Sequence, residues 1–146
     1  DLDKGWMQIG SRGPMKVMTA THRDVARMGH LWLNKGLWNG ERLMDSDYVE
    51  AALTPTFPKT NNAYGYLWWL NRDGGLWRDS ANPPSVNEGR RIPKAPENLF
   101  MAIGARGKLM FVIPDHDMVV VSLGETEGTQ EQIVALWDAI EKFLPA

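Results

Sequence analysis

The stretch "NLFMAIGARGKLMFVIPDHDMVVVSLGE", residues 98–125, decides which fold this chain can form. Its three apolar runs are separated by a Gly-Ala-Arg-Gly segment at 104–107, the glycine corner, and by a Pro-Asp-His-Asp segment at 114–117. Apolar runs rich in Val, Ile and Phe and bounded by Gly, Pro and Asp are typical of strands joined by tight turns. The stretch therefore predicts three consecutive antiparallel strands.

Helices are predicted on both sides of these strands. Thr21, with Asp24 three residues later, forms a capping-box pattern, and Gly36 supplies the stop of the first helix. Ser46 is predicted to cap a second short helix over 47–53. A last helix is predicted to begin at Thr129, which is followed by Gln132, and to lie on the sheet through an apolar stripe formed by Ile133, Leu136, Trp137, Ile140 and Leu144.

A fourth strand is predicted over residues 64–70, where "YGYLWWL" places apolar side chains on both faces. Strands of that kind belong to a sheet that is covered on both sides. Together these elements predict an α+β fold with an antiparallel sheet of about four strands, flanking helices and a C-terminal helix on the sheet. Residues 1–18 are predicted to be an irregular lead-in with one short strand.

Residues 71–98 combine several Gly and Pro residues with four arginines and show neither helical nor strand periodicity. We predict a long loop within the single domain formed by residues 1–146, and loops of this length are usually lids or binding loops. Trp77 lies in this segment, where an aromatic side chain has less reason to be buried.

Composition narrows the possible partners. The formal net charge is −2 with no basic block, which argues against nucleic-acid binding. No apolar run reaches the length of a membrane span, and there is no cysteine for disulfides or thiolate catalysis. The first residue is Asp1 and no leader pattern follows, so we expect the chain to be part of something longer. The compartment, periplasmic or cytoplasmic, stays open.

Catalytic motifs are sparse. None of the five serines lies in S-x-x-K or G-x-S-x-G, and none of the three tyrosines lies in Y-x-N or Y-x-S. His22 and His30 are eight residues apart, which does not match the helical spacing of zinc ligands, so no metal site is expected. The glycine corner precedes a strand, so it lacks the helix N-terminus that binds phosphate. What remains is a backbone N–H at the start of a strand, which we expect to be open because Gly107 has no side chain, as an oxyanion hole requires.

Three blocks, "MTATHRDVARMGHLWLNKGLWNGERLM" (18–44), "YGYLWWL" (64–70) and "GARGKLMFVIPDHDMVVVSLGE" (104–125), carry a family resemblance. In this order they resemble the C-terminal part of serine hydrolases related to class C β-lactamases, which include esterases, D-aminopeptidases and 6-aminohexanoate-dimer hydrolases. The first block is similar to the family's T-x-x-D-L-A-R-F-G helix, and the second to its Y-G-Y-G-W-W strand. The third resembles the strand that carries the K-T-G or H-x-G motif. The resemblance implies a partial β-lactamase/transpeptidase-like fold.

The resemblance also implies a mechanism, without a cofactor. A serine in S-x-x-K would attack a small ester or amide and form an acyl-enzyme. That serine would lie on a missing N-terminal segment, which is the partner expected for this chain. By the same resemblance, the backbone N–H of Lys108 supplies one oxyanion-hole donor, and Ala105, Arg106 and Gly107 bind substrate. Ala105 stands where the family has Lys or His, which favours esters or linear amides over carboxylate-bearing β-lactams, unless Arg106 replaces that charge.

Two other functions stay open at this point. The chain could be a stand-alone binding module that uses 71–98 as its recognition loop. It could also be a non-catalytic relative that kept the fold, as the Ala105 departure hints.

Overall fold

The computed structural model describes residues 6–9, 15–78 and 86–144 of the 146-residue chain. Within these ranges the chain forms three α-helices and ten short strands. The helices are His22–Leu33 (α1), Ser46–Ala52 (α2) and Gln130–Glu141 (α3). The strands are Trp6–Ile9 (β1), Met15–Met18 (β2), Leu37–Trp38 (β3), Glu41–Arg42 (β4), Trp69–Leu70 (β5), Leu76–Arg78 (β6), Val86–Glu88 (β7), Phe100–Gly104 (β8), Lys108–Ile113 (β9) and Met118–Ser122 (β10).

The central sheet has four antiparallel strands in the order β10-β9-β8-β5. The β8–β9 register places Met101 opposite Phe111 and Gly104 opposite Lys108, so the glycine corner closes this hairpin. The turn between β9 and β10 starts at Pro114 and ends at Asp117, whose φ of 47° is left-handed. The three strands predicted from residues 98–125 are therefore confirmed, as is the predicted α+β class.

Helices cover both faces of this sheet. On one face, Val25 of α1 belongs to a core cluster with Met110 and Val112 of β9. On the other face, Ile133 and Trp137 of α3 belong to a second cluster that includes alternate residues of β8 and β9. Strand β9 is buried on both sides for this reason, because its alternating side chains enter two different clusters. The expectation of a sheet covered on both faces is confirmed.

The helix ends follow local side-chain chemistry. The Thr21 hydroxyl accepts the Asp24 backbone N–H, and the Asp24 carboxylate accepts in return, which completes the predicted capping box of α1. The same hydroxyl donates to the Asp24 carboxylate at 2.7 Å, and this hydrogen bond lowers the pKa of Asp24 below its ordinary value. Thr129 caps α3 as predicted. Helix α2 begins one residue earlier than predicted, because Asp45 and not Ser46 supplies the cap.

The strand predicted over residues 64–70 is wrong for its first five residues. Trp69 and Leu70 alone form β5, and the chain before them turns back on itself through a hydrogen bond from the Gly65 N–H to the Trp68 carbonyl at 3.0 Å. A Cβ on Gly65 would overlap the Ala52 carbonyl oxygen, so this turn packs tightly against the end of α2. Leu67 lies in this turn with a φ of 64°.

The two segments expected to be irregular contain more regular structure than predicted. Strands β1 and β2 form an antiparallel hairpin in the lead-in, where one short strand was expected. Strands β6 and β7 form a second hairpin inside residues 71–98, with Trp77 opposite Asn87. Period-2 alternation in three- and four-residue strands is too short to be recognised among Gly and Pro residues.

Trp77 is buried, with 8% of its surface exposed, so the expectation that it would be less buried is wrong. The Arg91 guanidinium lies between two indoles, 4.7 Å from the Trp69 ring centroid and 4.9 Å from that of Trp77. Its Nε donates to Gln130 Oε1 of α3 at 3.2 Å. These contacts attach the 71–98 segment to the sheet and to α3.

Asn71 is fully buried, and its side chain holds the same segment through hydrogen bonds to the backbone. Its Nδ2 donates to the carbonyls of Ile92, Ala95 and Pro96 at 2.9–3.2 Å, and its Oδ1 accepts the Ile92 N–H at 2.9 Å. One side chain therefore satisfies four backbone groups of a buried loop.

We expect Asn71→Ala to lower the free energy of unfolding by about 1–3 kcal/mol, because it leaves buried backbone groups without partners. Urea denaturation followed by tryptophan fluorescence measures the loss. Asn62→Ala is the matched control, because it removes a hydrogen bond of 2.8 Å to the Asp73 carbonyl at a partly exposed position. Equal losses in the two variants would contradict this role for Asn71.

Candidate functional site

The glycine corner is a 3₁₀ turn with left-handed backbone at two positions. Arg106 has φ 58° and ψ 40°, and Gly107 has φ 69°. Lys108 follows with φ −74° and begins β9. The turn is tight because Gly104 and Lys108 are opposed in the hairpin and leave three residues to connect the strands.

The segment 124–128 covers this corner. The Thr126 N–H donates to the Arg106 carbonyl at 3.2 Å, and a Cβ on Gly107 would overlap Thr126 Oγ1. Gly107 is therefore buried, because Thr126 occupies the space that a side chain on residue 107 would need. Glycine is required here by the left-handed φ and by the packing of Thr126.

The charged side chains of Arg106 and of the neighbouring Lys108 contact the 124–128 segment. Arg106 Nη1 lies 3.4 Å from Glu125 Oε1, and both side chains are about three-quarters exposed, at 74% and 73%, so this pair contributes little to stability. Lys108 Nζ donates to the Gly124 carbonyl at 3.2 Å and to the Arg106 carbonyl at 3.4 Å, and lies 3.8 Å from Glu125 Oε1. Ala105 is exposed.

A groove of about 520 Å³ opens on the α1 face of the sheet beside the corner. Its volume lies in the range of small-molecule sites. We call it the α1 groove, and Lys108 carries its one charge among the described residues. Its lining consists of Thr19, Ala20, Val25, Met28, Leu67, Ala102, Ile103, Gly104, Lys108, Leu109, Met110 and Leu123.

The structure brings only part of the predicted site to this groove. Lys108 lines it, whereas Ala105, Arg106 and Gly107 do not. Since side chains alternate along β9, Lys108 lies on the same face as Met110, at the end of the groove nearest the corner. The arrangement places the start of β9 next to an apolar cavity.

Other groove residues were not recognised as site residues from the sequence. Val25 and Met28 carry a signal, because they lie three residues apart on the apolar stripe of α1, but that stripe predicts core packing. Leu67 carries none, since a left-handed leucine at a turn is not encoded by a recognisable pattern. In the described ranges, no three His, Asp or Glu side chains converge as metal ligands. No helix in these ranges is long and apolar enough to cross a bilayer.

Comparisons with known proteins found a sequence relative and a solved structure of similar fold. No protein-family model matches the chain. An uncharacterized protein of Alkalihalophilus pseudofirmus is 26% identical over 146 residues, which cover 97% of this chain and 40% of that protein. A solved structure from Bacillus anthracis, provisionally named a 6-aminohexanoate-dimer hydrolase, superposes with a TM-score of 0.57 at 23% identity, over 87% of this chain and 30% of that one.

The chain thus spans less than half the length of both proteins. At these identities the likeness concerns the fold. This chain has an α+β fold similar to that of the Bacillus anthracis protein.

Proposed function

We propose that this chain is the C-terminal part of a serine hydrolase that cleaves small esters or amides through an acyl-enzyme. In this proposal the nucleophile belongs to an N-terminal segment that carries S-x-x-K. The chain contributes one wall of the substrate pocket and the backbone N–H of Lys108 as one of two oxyanion-hole donors. Residues 105–107 form the turn that sets the position of this donor.

The observation that carries the proposal is the position of Lys108 between a constrained turn and the α1 groove. An oxyanion hole needs a rigid donor beside a cavity that receives the acyl or leaving group. The corner is rigid because Thr126 packs on Gly107 and bonds to Arg106. The fold shared with the Bacillus anthracis protein supports the same assignment.

The test compares two polypeptides. We expect the pure 146-residue chain to show no turnover of p-nitrophenyl esters and no labelling by a fluorophosphonate serine probe, since it has no S-x-x-K. The complete polypeptide encoded by the same gene is expected to hydrolyse the ester and to be labelled on its N-terminal segment. Intact mass spectrometry separates this chain, at 16.5 kDa, from any associated segment.

Each result has a definite meaning. Turnover by the isolated chain would contradict the proposed division of the site. A complete polypeptide that has S-x-x-K but is neither labelled nor active would contradict the proposed hydrolase function. It would favour the hypothesis that the protein is a non-catalytic relative.

A further inference from the structure

We propose that the α1 groove binds an uncharged hydrocarbon chain, so that a hydrolase built on this chain would prefer esters or amides with an apolar acyl group. The substrate preference rests on the proposed function. The binding itself does not, because it concerns only residues of this chain and can be measured without catalysis.

The lining of the groove supports an apolar occupant. Ala102 and Met110 form its floor on the sheet, while Met28 and Leu123 contribute from α1 and from the chain after β10. Contact between such apolar side chains and a hydrocarbon removes the surface of both from water, and this stabilises the bound state.

The one cation of the groove is already occupied. Lys108 Nζ bonds to the carbonyls of Gly124 and Arg106 and lies near the Glu125 carboxylate, on the side of the 124–128 segment. A substrate carboxylate would have to compete with these partners for the Lys108 ammonium group. This competition, together with the apolar lining, is the reason for expecting a neutral ligand.

Leu67 supplies the second observation. It is 83% exposed and has a φ of 64°, a conformation that costs energy in a leucine and that Asn adopts more readily. Leu67 lies at the mouth of the apolar groove. Among the described residues, it belongs to neither core cluster. A bound hydrocarbon chain would cover it and remove its surface from water.

Methionine methyl groups report on this binding, because the chain places them both inside and outside the groove. We would titrate the 146-residue chain, labelled with 13C at methionine methyls, with 1-butanol, 1-hexanol and 1-octanol. Met28 and Met110 are expected to shift with saturation, while Met44 and Met118, which are partly exposed elsewhere, stay in place. Affinity should rise about fourfold for each added methylene until the groove is filled. Hexanoate and hexylamine should bind at least about tenfold more weakly than 1-hexanol.

Two variants test the assignment to the groove. Leu67→Asn keeps the left-handed backbone and is expected to weaken 1-hexanol binding about three- to tenfold, with no loss of thermal stability. Phe143→Asn is the matched control, because it removes another exposed apolar side chain, 86% exposed and outside the groove, and should leave binding unchanged. Met28→Gln is a second groove variant with the same expected direction.

Several outcomes would overturn the proposal. These are equal shifts of all four methionines, hexanoate binding as tightly as 1-hexanol, or wild-type affinity in both groove variants. If 1-hexanol binds as expected but the complete polypeptide lacks serine-probe labelling, the groove stands and the proposed hydrolase fails. If the complete polypeptide hydrolyses acetate, hexanoate and octanoate esters equally while the groove binds nothing, the hydrolase stands and this inference fails.

Discussion

Lys108→Pro is expected to lower kcat for ester hydrolysis about 10²- to 10³-fold in the complete enzyme, which corresponds to about 2.7–4 kcal/mol of barrier. Proline removes the backbone N–H that the proposed function assigns to the oxyanion hole. The effect should fall mainly on kcat, with a smaller change in KM, because the donor bonds most strongly to the charge that develops in the transition state.

The backbone angle φ at this position is compatible with proline. Lys108 has a φ of −74°, inside the range that the proline ring fixes, and it is the first residue of β9, where proline is accepted in sheets. The preceding residue is Gly107, the residue type least restricted by a following proline. Thermal unfolding of the variant separates a loss of activity from a loss of fold.

Lys108→Ala is the control, because it removes the same side chain and its bonds to Gly124 and Arg106 but keeps the N–H. We expect its kcat to stay within about threefold of wild type, well inside the effect of losing a donor. Steady-state kinetics with p-nitrophenyl esters and thermal unfolding of both variants provide the measurement. If proline and alanine reduce kcat equally in folded proteins, the oxyanion donor is not the N–H of Lys108.

The elements that could be predicted are those that depend on neighbouring residues. Thr21 with Asp24 and Thr129 with Gln132 fix helix starts through hydrogen bonds that span three residues, so the sequence shows them directly. The strands on either side of the glycine corner are also readable, because long apolar runs separated by turn residues have few other conformations. These local signals are sufficient for the fold class.

The features that could not be predicted depend on residues distant in sequence. The space beside Gly107 is filled by Thr126, which comes 19 positions later, and the local sequence carries no signal of that contact. Arg91 is held by Trp69 and Trp77, and nothing in the Gly- and Pro-rich sequence around it indicates that stacking. The candidate site is of this second kind. The sequence indicated the corner as a candidate, but the shape of the groove beside it depends on how α1 and residues 64–70 meet the sheet.

Trp137→Ala is expected to lower the free energy of unfolding by about 3–5 kcal/mol, the largest stability change that we predict. Trp137 is 2% exposed and is the largest fully buried side chain in the described part of the chain. It joins α3 to the sheet face that contains Phe111 and Ile113. Alanine would leave a cavity that the surrounding strands, paired on both sides, cannot close.

Trp137→Phe separates the contribution that packing of this residue makes to stability from the contribution of its polar indole N–H. Trp137 Nε1 is buried and has no hydrogen-bond partner among the described residues, so phenylalanine removes an unsatisfied donor while it keeps most of the apolar contact. We expect a loss below about 1.5 kcal/mol for this variant, since the cost of the smaller ring is offset by the relief of that donor. Urea denaturation of both variants, with Phe143→Ala as an exposed control on the chain after α3, measures these differences.

Comparing the losses in the free energy of unfolding of Trp137→Ala and Trp137→Phe shows which contacts hold α3. If phenylalanine costs as much as alanine, the indole N–H has a partner on folding and contributes a hydrogen bond to the core. If alanine costs less than about 1 kcal/mol, α3 does not depend on Trp137 for its attachment. A large loss with alanine and a small one with phenylalanine would show that α3 is held by hydrophobic packing. The face of the sheet opposite the α1 groove would then be the rigid support against which the glycine corner and Lys108 are positioned.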